Sequence, residues 1–72
     1  MADRMKEIIF EVTEDPEGGL CARALGASIL TQADDLEDLK AAVRDAVLCH
    51  YDEDEAPLMI RLHLVKDYLV AV

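Results

Sequence analysis

Four side chains are of types that bind zinc: Cys21, Cys49, His50 and His63. A structural zinc site converges four such ligands, and sequences that build one usually space them in pairs two to four residues apart. Cys49 and His50 are adjacent instead, and neighbours on a helix diverge by about 100°. No metal site is expected. Cys21 falls in a strand-like run and reads as a small buried hydrophobe. His63 lies among apolar residues with no activated nucleophile to serve, so it reads as a packed or interface residue.

The carboxylates offer a second chemistry. Asp52-Glu53-Asp54-Glu55 puts four in a row, and acids can hold Mg²⁺. Sequential side chains point in different directions, however, and no glycine-marked Ca²⁺ loop is present. The run reads as a solvated loop. Gly18-Gly19 after a strand could cradle a phosphate, but no helix follows, and Glu11, Glu14, Asp15 and Glu17 would repel the anion. Hairpin geometry accounts for the glycines. Catalysis and a cofactor are therefore not expected.

The elements that position these residues follow from composition and periodicity. Seventy-two residues make one domain, 1–72, and a chain of roughly 60 residues buries only about 60% of its unfolded surface. Apolar residues are 53% of the chain, too many for a disordered acidic tail despite a net charge of −9. That charge excludes a nucleic-acid backbone as direct partner, which needs clustered Lys and Arg, and suits a basic partner. No apolar run approaches a signal-peptide core or the ~18 residues of a membrane span. Two cysteines are too few for a disulfide scaffold, so a reduced, cytoplasmic chain is expected.

Lys6 to Thr13 alternates, with Ile8, Phe10 and Val12 on one face and Ile9, Glu11 and Thr13 on the other, as in a half-buried strand. Leu20 to Leu25 and Ala27 to Gln32 give two more short strands, joined by loops brief enough for an antiparallel meander. Leu36, Leu39, Val43, Ala46, Val47 and His50 then recur at helical spacing, with Asp35 as N-cap and Asp34, Asp35, Glu37 and Asp38 favoured by the helix dipole. Pro57 precedes a fourth strand from Leu58. Lys66-Asp67 would turn it into a fifth, Tyr68 to Val72, with Leu64 opposite Leu69 and Leu62 opposite Ala71. The expected fold is α+β: an antiparallel sheet of four to five strands, β-β-β-α-β-β, with one helix on one face. The other face would carry Met59, Arg61, His63, Val65, Tyr68, Val70 and Val72, five of them apolar. So apolar a face predicts a homo-oligomer, with Met59, His63, Val65, Tyr68 and Val70 as the self-association set.

The successions Phe10-Glu11-Val12, Glu14-Asp15-Pro16-Glu17-Gly18-Gly19-Leu20-Cys21-Ala22-Arg23-Ala24-Leu25-Gly26 and Thr31-Gln32-Ala33-Asp34-Asp35-Leu36-Glu37-Asp38-Leu39 resemble the HicB family over residues 6–50. The resemblance implies a partial RNase H-like fold, generally without nuclease chemistry, and an antitoxin that covers the RNA-cleaving surface of HicA, a small basic ribonuclease. Leu20 stands where that family has an aromatic residue, Ala33 where it often has glycine, and Asp35 where it has a Thr or Ser cap; the proline frequent in its second hairpin is missing from Ala24-Leu25-Gly26. The family commonly continues into a C-terminal DNA-binding unit. This chain ends at Val72, and repression is not carried over.

The function expected is thus a non-catalytic module that masks a small basic, HicA-like protein. Glu14, Asp15 and Glu17 in the first loop and Asp52, Glu53, Asp54 and Glu55 after the helix would supply charge complementarity. The alternative is an orphan structural or regulatory homo-oligomer with no toxin. A metal-dependent nuclease is a third reading, but the strands offer it only Glu7 and Glu11.

Overall fold

A computed structural model describes residues 6–72; the first five residues of the expected 1–72 domain lie outside them. Four strands and one helix follow in the order β1 (Glu7–Glu14), β2 (Leu20–Ala24), β3 (Leu30–Ala33), α1 (Leu36–His50) and β4 (Met59–Leu64). They form one sheet of order β3-β2-β1-β4 with the helix over one face. The fold is α+β.

Strands β1, β2 and β3 form the antiparallel meander that their short loops require, with Phe10 opposite Ala24 and Ala22 opposite Thr31. Alternation along β1 sends Ile8, Phe10 and Val12 beneath the helix, where all three are buried. Ala22 and Ala24 of β2 join them, small enough to let α1 approach, and the helix answers with Leu39, Val43 and Val47. Ile60 and Leu62 of β4 close the far side of this core, half-buried. His50, at the end of the expected helical stripe, is exposed and sets its ring edge-on to Tyr51.

Two expectations are corrected. The sheet is mixed rather than wholly antiparallel: β4 lies parallel to β1, from Glu7 opposite Met59 to Val12 opposite Leu64. The reason is directional. Strand β3 runs with β1, α1 carries the chain back along the sheet, and the returning strand must again run with β1, as in any strand-helix-strand crossover. Residues 68–72 also do not form the expected fifth strand. A two-residue hairpin of the favoured type needs positive φ in the turn, and among the described residues only glycines adopt it. Lys66-Asp67 has no glycine. After the Val65 N–H donates to the Val12 carbonyl at 2.8 Å, the chain leaves the sheet. Tyr68, Leu69, Val70 and Val72 are all at least 78% exposed.

Candidate functional site

The meander brings the end of β3, and the helix start that follows it, beside the β1–β2 hairpin loop. Asp15 organises that loop. Its carbonyl accepts the Gly18 N–H at 2.9 Å, its Oδ1 accepts the Glu17 N–H at 2.8 Å, and its own N–H donates to the Gly19 carbonyl at 3.0 Å. Gly19 holds φ +86°, where a Cβ would stand 2.8 Å from the Ala33 carbonyl oxygen. Only glycine lets the loop sit this close to β3. Across the gap, Asp35 caps α1 by accepting the Asp38 N–H on Oδ1 at 2.8 Å, as the sequence foretold.

Between these two structures lies an open hollow of about 520 Å³. Asp15, Glu17, Asp34 and Asp38 line it together with Leu20 and Gln32, and no basic side chain among the described residues does. The helix dipole makes the position tolerable for Asp38. Four acidic residues, from a hairpin and a helix start, border a negative concavity that attracts cationic groups.

Cys21 sits at the edge of this arrangement, on the uncovered face of the sheet. It is half-buried rather than part of the core, with its Sγ 3.6 Å from Asp15 Oδ2 and 3.8 Å from Gln32 Oε1. Partial burial, reinforced by the hydrogen bond to the Asp15 carboxylate and its charge, raises the thiol pKa and keeps it protonated. That is the opposite of an activated nucleophile.

The second acidic stretch lies at the other end of the molecule, where α1 finishes. Asp52 closes a turn by accepting the Glu55 and Ala56 N–H groups on its carbonyl, both at 2.9 Å, and Ala56 is buried beneath it. Asp52, Glu53, Asp54 and Glu55 all point to solvent. A helix of this length places the two acidic groups about 22 Å apart along the sheet. The seven acids expected to bind a partner therefore fall into two separate groups. The hairpin group gains Asp34 and Asp38, which the sequence reading assigned to the helix dipole alone. The signal for them was present: in a three-stranded meander the chain leaving β3 returns beside the first hairpin.

The uncovered face is more polar than its strand pattern implied. Arg61 forms a two-pronged pair with Glu7, Nε to Oε1 at 2.9 Å and Nη2 to Oε2 at 3.2 Å, while Arg23 lies 3.8 Å from Glu11. The bond from Arg61, aided by its charge, holds the Glu7 carboxyl below the usual carboxylate range. Glu7 and Glu11 are thus each engaged by an arginine, and Glu14, at the end of β1, lies 3.7 Å from Lys66. Among the described residues no three His, Cys, Asp or Glu side chains are placed to hold a metal ion. Met59 and His63 share this face, Val65 lies at its rim, and Tyr68 and Val70 leave with the C-terminal segment. The expected self-association set is not one surface.

One helix on a mixed four-stranded sheet, with a negative hollow at one end, defines a small α+β domain. No family model and no solved structure matches the chain. Two curated proteins do. Over 70 residues it is 40% identical to a UPF0150 protein of Thermotoga maritima, covering 97% of this chain and 99% of the relative. Over 55 residues it is 51% identical to a UPF0150 protein of Archaeoglobus fulgidus, covering 76% of this chain and 82% of the relative. The chain belongs to the UPF0150 family. No helix among the described residues is long and apolar enough to cross a membrane.

Proposed function

We propose that this chain is a non-catalytic, HicB-like binding module that masks a small basic protein of ribonuclease type, in a reducing cytoplasmic setting. The observation that carries this reading is the hollow lined by Asp15, Glu17, Asp34 and Asp38, with no basic residue among its described lining. Such a site draws a cationic surface from a distance and fixes its orientation, so it acts on the encounter rate more than on final affinity. Asp15 is already committed to its own loop, which leaves Glu17, Asp34 and Asp38 as the groups that meet the partner. The post-helix acids, splayed on their turn, add a weaker long-range field. Both cysteines are free, in keeping with a reducing compartment.

Affinity purification from the source cell at low salt, followed by titration of the recovered protein, tests the reading. A small basic protein should be retained, and Glu17→Gln with Asp34→Asn should slow its association by about tenfold while leaving dissociation little changed. Recovery of no basic protein, or association indifferent to these substitutions, overturns it.

A further inference from the structure

Strand β3 ends the sheet on the side away from β4, and its backbone is open in a defined pattern. The Ala24 N–H donates to the Ile29 carbonyl at 2.9 Å, so the odd-numbered residues of β3 turn their backbone groups toward β2. Those of Leu30 and Gln32 point outward. The phase of β2 agrees, since its Leu25 N–H turns the other way to donate to the Ile9 carbonyl. Sheets commonly guard such an edge with charge, proline or a bulge. Leu30-Thr31-Gln32-Ala33 has no charge and no proline, and it pairs with β2 without a bulge. Strand β4, at the other edge, carries Arg61. Leu30 is 74% exposed. The surroundings are equally bare of acids. Residues 18–33 form the longest stretch of the chain without Asp or Glu, and their one charged residue, Arg23, lies 3.8 Å from Glu11.

We propose that β3 pairs antiparallel with β3 of a second copy of this chain, joining two four-stranded sheets into one. The outward phase restricts the register to pairings of even with even residues. Setting Leu30 against Gln32 of the partner subunit uses both outward residues of each strand, and every such pair exchanges two N–H···O bonds. The two-fold axis then passes beside Thr31, perpendicular to the sheet. Thr31 meets Thr31 of the partner subunit, a favourable cross-strand pair. Asp34 falls opposite Ser28 of the partner subunit, and no acid faces another across the axis.

Charge selects a second copy as the occupant. Two chains of net charge −9 repel wherever their acids meet, and this edge has none to offer before Asp34. A basic partner gains nothing here. The antiparallel arrangement also sends the two acidic hollows to opposite ends of the joined strands, since the two Ala33 residues stand about 13 Å apart along them. The contact is isologous and uses up the β3 edge of both copies, so it stops at two. One four-residue strand from each copy buries less than the ~1,200 Å² of a durable interface, and a Kd of about 10–100 µM is expected.

Sedimentation equilibrium on the isolated full chain, from about 1 µM to about 1 mM, tests the pairing, with amide hydrogen exchange as a second readout. Wild type should pass from monomer to dimer and no further. The Leu30 and Gln32 amides should gain protection as concentration rises, while those of Thr31 and Ala33, turned toward β2, stay protected throughout. Leu30→Pro removes an outward donor and no bond to β2, and should weaken dimerisation by more than about tenfold. Leu64→Pro, whose N–H points outward on β4, should not. Two double variants at exposed positions test the register. Leu30→Glu with Gln32→Lys sets opposite charges across the axis, Leu30→Glu with Gln32→Glu sets like charges, and the first should dimerise at least about tenfold more tightly. A chain still monomeric at about 1 mM, a dimer whose Leu30 and Gln32 amides stay unprotected, or equal affinity of the double variants overturns the proposal. So does a dimer lost through Leu64→Pro but indifferent to Leu30→Pro, since that places the contact on β4.

Discussion

The two ends of the molecule carry similar numbers of acids and treat them differently. At the hairpin end, Asp15 spends three polar groups on its own loop, Gly19 brings the loop against Ala33, and Asp35 fixes the helix start opposite. The backbone there is held in place, and Asp15, Glu17, Asp34 and Asp38 border one hollow. At the post-helix end, a single turn closed by the Asp52 carbonyl leaves four carboxylates facing solvent in different directions. Charge count does not distinguish the two. Backbone commitment does, and only the ordered end can present a fixed pattern to a partner.

Three experiments break or sharpen this contrast. The largest effect is expected from Gly19→Val. A β-branched side chain at φ +86° is strained, and its Cβ meets the Ala33 carbonyl, so denaturant unfolding should show a loss of about 2–4 kcal/mol. A loss below 1 kcal/mol would mean that the hairpin end is as loose as the other.

The two cysteines report on the ends separately, since Cys21 lies beside the hairpin and Cys49 is exposed in the last turn of α1. With a thiol reagent near neutral pH, Cys49 should react more than about tenfold faster than Cys21, whose protonated form is favoured by burial and by Asp15. Cys49→Ser should abolish the fast phase, and Asp15→Asn should accelerate the slow one. Equal rates would contradict the Asp15–Cys21 contact.

The smallest effects compare single acids. Asp35→Ala should cost about 1 kcal/mol through the lost N-cap bond, whereas Glu53→Gln or Asp54→Asn should stay within about 0.5 kcal/mol. Equal costs at the two ends, read from the same denaturation curves, would erase the distinction.

What was legible in the sequence was local. The alternation Ile8, Phe10, Val12 and the stripe Leu39, Val43, Val47 named the two halves of the core, and Asp35 announced the helix start. The direction of β4 was not legible, because its apolar alternation is the same for either orientation and the partner lies at the other end of the chain. The missing strand had a readable warning in Lys66-Asp67, which lacks the glycine that its turn demands. The acidic hollow was half legible. Glu14, Asp15 and Glu17 stood out as a loop, but Asp34 and Asp38 were credited wholly to the helix dipole because the return of β3 to the hairpin is a tertiary fact. Cys21 was read as core, although the face opposite Ala22 points away from the helix.

The parallel register of β4 on β1 also orders events in time. The β1–β2–β3 meander is built from neighbours in sequence and can assemble as soon as residue 33 is available, whereas joining Glu7 to Met59 waits for nearly the whole chain and closes its longest loop. During synthesis, strand β1 therefore spends its early life with one row of hydrogen-bonding groups open, a period in which a nascent neighbour could compete for the place that β4 finally takes.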